Sequence, residues 1–500
     1  MMSYAQARWN ERLLNEIGRR GRVGYVPPPP LDEGAEVDVP SRLLREDLDL
    51  PSLSELQVVR HFVRLSQMNF SVDTGFYPLG SCTMKYNPKL NDRVASHPKI
   101  AFAHPYQPYE SVQGLLGIIY DLSTMLANIT GTDYVTTLPA AGAHGELTGA
   151  LMIRKYHTSR GELGRNEMIV PDSAHGTNPA SAQMAGFKVV KVTTDSRGLV
   201  DMGELKKIVS GKTAGMMMTV PNTLGLFEKD VLEISKMVHD AGGLMYYDGA
   251  NLNAMLGRVR PGDLGFDIVH LNIHKTFSTP HGGGGPGAGP VCVKAFLHDY
   301  LPTPVLEYDG ALYSWKHKLP NSIGRMKSFW GNVGVLVRAY VYLLTLGPEG
   351  LKDVSALAVL ASNYLMSRLD RKYYGLPYAE GVPRKHEFVV STKPLAKSGV
   401  KALNVAKALI DRGQHAPTIY FPLIVEEALM VEPTETETLE EIDSYAQTLN
   451  EIGETSAKDP QEILSKPKNT AIGQLDDFRA SHPLTLKLRW DGKGGRDAKA

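Results

Sequence analysis

The sequence predicts an α/β fold: a mostly parallel central sheet with helices on both faces, followed by a smaller C-terminal α+β domain. Three observations predict it. Short apolar runs recur from about residue 167 to 293, and helical stretches separate several of them. The runs are brief and almost wholly apolar, as strands covered on both faces must be. Beyond about residue 346 the regular alternation gives way to helices with isolated strands, the pattern of a separate α+β unit.

Taken in order, the first 25 residues read as a charged amphipathic helix ending in the stiff extended run Val26-Pro27-Pro28-Pro29-Pro30. Residues 41–70 read as helical, with Leu, Val and Phe at helical spacing in LSELQVVRHFVRLSQ. The helix GLLGIIYDLSTMLANITG is followed by a small-residue turn and a second helix around ELTGALMIRKYH. Strands are expected at EMIVPD (167–172), FKVVKVT (187–193), GMMMTVPN (215–222), LMYYDGA (244–250), DIVHLNI (267–273) and VCVKAF (291–296). GELKKIVSG and VLEISKMVHDAGG supply crossover helices. Later, residues 351–371 and 400–412 look helical, and HEFVVST and TIYFPLIV look like strands. The helix at Leu439 is opened by a Thr436 or Thr438 cap. The expected divisions are an arm with helices over 1–70, a large domain over 71–345, a small domain over 346–465 and an irregular tail over 466–500.

Composition narrows the function classes. The 500-residue chain balances 54 Lys+Arg against 54 Asp+Glu, so bulk charge suggests neither a nucleic-acid nor a membrane-surface partner. The two cysteines, Cys82 and Cys292, build no disulfide framework, and a reducing cytoplasm is the expected location. The N-terminus has no apolar signal core, and no membrane-spanning run is expected.

Two nucleotide motifs fail on context. Gly282-x-Gly284-x-x-Gly287 matches the dinucleotide fingerprint formally, but Pro286 and Pro290 interrupt it and a strand, not a helix, follows. Ser210-Gly211-Lys212-Thr213 resembles the end of a P-loop, but the first glycine it requires is Lys206.

The informative residues fall at the expected carboxyl ends of strands, where open parallel sheets bind ligands. They are His175 after EMIV, Asn222 after GMMMTVP, Asp248 after LMYY and Lys275 after DIVHLNIH. Any one of them alone is ordinary: an Asp in a turn, a structural His. Together they fit one chemistry. Pyridoxal 5'-phosphate joins a lysine as an imine, and a carboxylate keeps the ring nitrogen protonated so that the ring accepts electrons. Lys275 is the expected imine lysine and Asp248 the ring-nitrogen partner. His175 is expected to stack on one ring face, with Ala250 beneath the other. The turn Pro139-Ala140-Ala141-Gly142-Ala143-His144-Gly145 opens a helix, so the Gly142 and Ala143 amides are expected at the phosphate. Asn222 is placed to donate to the ring 3-oxygen. His274, His144 and His281 could move protons or touch the phosphate or substrate, and each has an equally good structural reading. The order of these groups matches a fold-type-I, aminotransferase-like pyridoxal enzyme.

Longer strings sharpen this. GSCTMKYNP (80–88), PAAGAHGE (139–146), DSAHGTNPASA (172–182), PNTLGLFE (221–228), YYDGANLNA (246–254) and LNIHKTFSTPHGGGGPG (271–287) closely resemble the P-protein family of the glycine cleavage system, the decarboxylating glycine dehydrogenases. The likeness runs from about residue 60 past EPTETET (432–438). Its length resembles the lysine-bearing C-terminal half of the P-protein, as in organisms that divide it between two chains. The resemblance implies oxidative decarboxylation of glycine, release of CO2 and transfer of the aminomethyl group to the lipoyl arm of H-protein. It also implies a homologous first subunit as partner, with two copies of each. An aminotransferase or desulfurase on the same fold, and a non-catalytic subunit with a degenerate site, are the competing readings. The Ser81–Asn87 loop is expected at the site entrance, Cys82 as an inert thiol, and EPTE without a catalytic role.

Overall fold

The computed structural model describes residues 6–29, 39–45, 50–282 and 287–486. Pro30, Gly284, Pro286 and residues 487–500 of the tail therefore lie outside the described residues. The chain divides into two compact units. One comprises Phe76–Leu409 and His415–Leu464; the other comprises the chain up to Gly75, Ile410–Gln414 and the stretch from Ser465.

In the smaller unit, helix Glu55–Gln67 begins where Ser54 and Gln57 form a reciprocal capping box. His61 and Arg64, one turn apart, both meet the Glu11 carboxylate at 2.9 and 3.0 Å. The expected continuous helices are corrected here. Among the described residues of the first 25 only Leu14–Ile17 is helical, because Gly18, Gly21 and Gly24 follow in quick succession. Among the described residues between 41 and 70, only Ser41–Leu43 and Glu55–Gln67 are helical, with Pro51 interposed. In the tail, Asp477–Ser481 makes a short capped turn.

The larger unit is built on seven strands: β1 (Tyr134–Thr136), β2 (Glu167–Pro171), β3 (Lys188–Val192), β4 (Thr213–Thr219), β5 (Leu244–Gly249), β6 (Ile268–Leu271) and β7 (Val291–Val293). Their spatial order is β1-β7-β6-β5-β4-β2-β3. β2 to β6 run parallel, and β7 is antiparallel to both of its neighbours. Strand periodicity sends Met216, Met218, Met245 and Tyr247 to one face. There they join Leu122 and Leu126 of helix Gln113–Thr130 and Ile234 of helix Val231–Asp240. Met217, Tyr246 and Ile268 point the other way, onto Ala150 and Ile153 of helix Gly142–Ser159. Tyr109–Thr130 has the length and apolarity to cross a membrane, yet its helix buries Leu116, Ile119, Leu122 and Leu126 within the protein.

A hairpin that the sequence reading passed over follows: β8 (Val305–Tyr308) pairs with β9 (Tyr313–Lys316). Helix Val333–Arg368 breaks at Gly347 (φ +62°), ahead of Pro348. The second sheet contains β10 (Phe388–Ser391), β11 (Thr418–Ile419) and β12 (Ala428–Val431), with β12 central. The expected long strand TIYFPLIV is corrected to the two-residue β11, since Pro422 has no N–H for a ladder. The run ALMV pairs instead. Helices Ala402–Asp411 and Leu439–Lys458 cover this sheet, and the latter is capped by Thr438, whose hydroxyl accepts from the Glu441 amide.

Candidate active site

Asp248 sits at the end of β5, in register with Thr219 of β4 and His270 of β6. It shares its face of the sheet with Tyr246, so its carboxylate lies beneath helix Gly142–Ser159. Asn178 Nδ2 donates to its Oδ2 (3.0 Å) and the Ala250 amide to its Oδ1 (2.9 Å). His270 Nε2 lies 3.3 Å from Oδ1, while its Nδ1 meets the Tyr246 hydroxyl at 2.7 Å. Burial alone would raise this carboxyl. His270, the Ala250 amide, Lys275 and Asn178 outweigh it and hold the group below the ordinary carboxylate range. Glu146, on the helix above, behaves oppositely: burial and the nearby Asp248 push it up to about 7, although Thr177 and Ser181 donate to it.

Beyond β6 the chain turns at Asn272, whose carbonyl accepts from the Lys275 amide. Lys275 and Asp248 then line one cavity of about 210 Å³. Gly142, Ala143, His175, Ala250, His274, Thr219, Thr223 and Ser81 line it too. Seven of the eight residues expected at the site are thus brought together. Asn222 is not among the lining residues: its Nδ2 donates to Gly198 O and its Oδ1 accepts from the Leu224 and Leu226 amides. Thr223 lines the wall there instead. His175 is exposed, hydrogen-bonds Thr177 Oγ1 at 2.9 Å and touches Phe421 edge-on.

The cavity suits an anionic, polar ligand. No side chain caps helix Gly142–Ser159, which leaves its first amides to a ligand. Thr219 Oγ1 and His274 Nδ1 are buried without a hydrogen-bond partner. Burial, with His281 and Lys275 close by, lowers His274 to about 3; burial and Lys275 lower His281 to about 4. Both rings are therefore neutral at pH 7. A Cβ on Gly142 would lie 1.8 Å from Asn272 Oδ1. Gly142→Ala is expected to displace this turn and the first amides of its helix, at a cost of roughly 1–3 kcal/mol read by denaturant unfolding.

The Ser81–Asn87 loop does reach the site: Lys275 Nζ donates to the Ser81 carbonyl at 2.8 Å. The loop lies along β12. Gly80 N donates to Met430 O, and a Cβ on Gly80 would meet Met430 Cγ at 2.2 Å. Ser81 (φ +64°) and Thr83 (φ +49°) are left-handed, a conformation costing a side-chain-bearing residue roughly 1–2 kcal/mol. Buried carboxylates hold them there. Glu387 Oε2 accepts from Ser81 N (2.7 Å), and Glu432 accepts from both Thr83 N (2.9 Å) and Thr83 Oγ1 (2.6 Å). Lys85 ends in a buried cluster with Glu435 (2.7 Å), Asn253 (2.9 Å) and Tyr342 (3.1 Å). The EPTE stretch therefore anchors this loop. Lys85→Ala leaves Glu435 buried without its cation, and a loss of roughly 3–5 kcal/mol is expected in denaturant unfolding. The sequence reading quoted Glu146 and Glu432 within longer strings and gave them no place in the site, and it set Lys85 in the entrance loop without a role of its own. A carboxylate that serves a loop some 350 positions away leaves no local pattern.

The fold is that of the fold-type-I pyridoxal-phosphate enzymes. The solved apo structure of a cysteine desulfurase from Thermococcus onnurineus superposes with a TM-score of 0.61 at 14% identity, covering 76% of this chain and 95% of that one. A crystal structure of an inhibitor-bound glycine decarboxylase (P-protein) of the glycine cleavage system gives a TM-score of 0.70 at 22% identity, covering 83% and 93%. The chain belongs to the glycine cleavage system P-protein family. Residues 26–306 match the family described as "Glycine cleavage system P-protein", and 354–471 match "Glycine dehydrogenase, C-terminal domain". It is 56% identical to the probable glycine dehydrogenase (decarboxylating) subunit 2 of Pyrococcus furiosus, over 96% of both chains. It is 52% identical to the protein of the same name from Halalkalibacterium halodurans, over 96% of this chain and 98% of the relative.

Proposed function

We propose that this chain is the pyridoxal-phosphate-bearing subunit of a two-chain glycine dehydrogenase (decarboxylating). It decarboxylates glycine and passes the aminomethyl group to the lipoyl arm of H-protein. The observation that carries this reading is the meeting of Lys275 and Asp248 in one cavity at the carboxyl end of a parallel sheet. The family membership supports the choice of reaction.

Pyridoxal phosphate, when bound, accepts the electron pair left on the glycine α-carbon as CO2 departs. Lys275 would hold the coenzyme through its amine, the group that glycine would replace. Asp248, kept ionised by its donors, retains a proton on the ring nitrogen. His175 would cover one ring face and Ala250 would support the other. The Gly142 and Ala143 amides, with His274, receive the phosphate. The lipoyl disulfide is reduced as the α-carbon is oxidised, so no nicotinamide is needed in this step.

The partners in this reading are a homologous subunit 1, two copies of each chain, and lipoylated H-protein; the location is cytoplasmic. The accompanying organisation is an arm over 1–70, a coenzyme domain over 71–345, a small domain over 346–465 and a tail over 466–500. The test is exchange of labelled CO2 into the carboxyl of glycine by the assembled enzyme. Exchange dependent on lipoylated H-protein is the expected result. Transamination of glycine without exchange would instead favour an aminotransferase.

A further inference from the structure

The loop over the site is held by two carboxyls that belong to the second sheet. Glu387 immediately precedes β10 and Glu432 immediately follows β12, so they extend the antiparallel pair Phe388↔Val431 as cross-strand neighbours. Both are completely buried. One oxygen of each lies within 4.8 Å of the other and of a His386 nitrogen. Glu387 accepts from Ser81 N and Asn251 Nδ2, and Glu432 from Thr83 N and Thr83 Oγ1. Ser81 in turn offers its carbonyl to Lys275 Nζ.

The charges around the pair come from several elements. Lys85 is matched by Glu435. His386 is fully buried, and neither ring nitrogen has a hydrogen-bond partner; burial, with Lys275 and Lys85 nearby, lowers it to about 3, so it carries no charge at pH 7. The Cys82 thiol is pushed up by burial and stays neutral. Among the described residues, that leaves Lys275 as the cation facing two buried carboxyls. Two such carboxyls side by side, with one cation, are stable with a single negative charge between them.

We propose that Glu387 and Glu432 act as positioning residues that clasp the Ser81–Thr83 loop, fixing the Ser81 carbonyl as the resting place of the Lys275 amine when it is not bonded to the coenzyme. The amine that glycine displaces is thereby received by a fixed acceptor and kept within reach for its return. This rests on the functional reading above for the role of Lys275. The clasp itself rests on the loop geometry alone.

The sign of the pH dependence follows from burial. Burial and the neighbouring Glu432 push Glu387 up to about 8; burial pushes Glu432 up to about 7. A raised carboxyl favours the folded clasp at low pH, and that contribution is lost as pH rises through about 7 to 8.

Hydrogen–deuterium exchange of the assembled holoenzyme between pH 6 and 9, corrected for intrinsic exchange, reads the Ser81 and Thr83 amides directly. Wild-type protection is expected to fall about tenfold across that range. Glu387→Gln and Glu432→Gln are expected to lower protection and flatten its pH dependence. Wild-type protection that does not vary with pH overturns the proposal even if both variants fail to fold. So does a wild-type-like profile in the folded variants. A pH-dependent clasp in a protein that forms no pyridoxyl adduct at Lys275 would sink the functional reading and leave the clasp standing.

Discussion

Lys275→Ala is expected to eliminate the pyridoxyl–peptide adduct that borohydride reduction followed by mass spectrometry locates at residue 275 in the wild-type holoenzyme. Glycine–CO2 exchange should fall with it by at least about 10⁴-fold, because both the covalent anchor and the amine that regenerates it are removed. The variant should still fold. Lys275 is only partly buried and its ammonium makes one hydrogen bond, to Ser81 O, and the buried carboxyls it faces keep other donors: Asn178 and the Ala250 amide for Asp248, Ser81 N and Asn251 for Glu387, and Thr83 for Glu432. The adduct at another lysine, or exchange surviving in the variant, would refute the assignment of this residue.

The second large effect is expected at Asp248. Asp248→Asn keeps the shape and removes the charge that the proposed function sets against the ring nitrogen. Loss of one partner of a buried ion pair costs roughly 3–5 kcal/mol, which corresponds to about 10²–10⁴-fold in rate. The direction has a structural reason. Four groups, the Ala250 amide, Asn178, His270 and Lys275, favour the ionised Asp248, and an amide in its place meets the same donors with one nitrogen turned the wrong way. Coenzyme binding should persist more weakly, since the lysine and the phosphate cradle are untouched. A visible spectrum and exchange rate equal to wild type in Asp248→Asn would show that Asp248 does not face the ring.

Periodicity made the core of the fold legible. GMMMTVP, LMYYDGA and DIVHLNI are short apolar runs separated by helical segments, and they became β4, β5 and β6 of one parallel sheet. The residues just past their ends met because parallel strands place their carboxyl ends on the same edge. Where local signals conflicted, the reading was less accurate. Glycines at 18, 21 and 24 outweighed the amphipathic pattern at the N-terminus, and Pro422 shortened an apolar run to a two-residue strand. Asn222 follows its strand as expected, yet its amide serves the backbone of its own turn.

What the sequence determined by itself was the reaction class and the candidate groups for it: a lysine and a carboxylate at strand ends whose positions follow from local periodicity, and a small-residue turn opening a helix. What only the tertiary structure decided was the support around them. Glu387 and Glu432 reach Ser81 and Thr83 across 306 and 349 positions, and His270 backs Asp248 only because β6 lies in register beside β5. Periodicity is a property of neighbours along the chain. A buried polar contact between distant segments depends on which surfaces the completed core brings together, and no pattern along the chain encodes that.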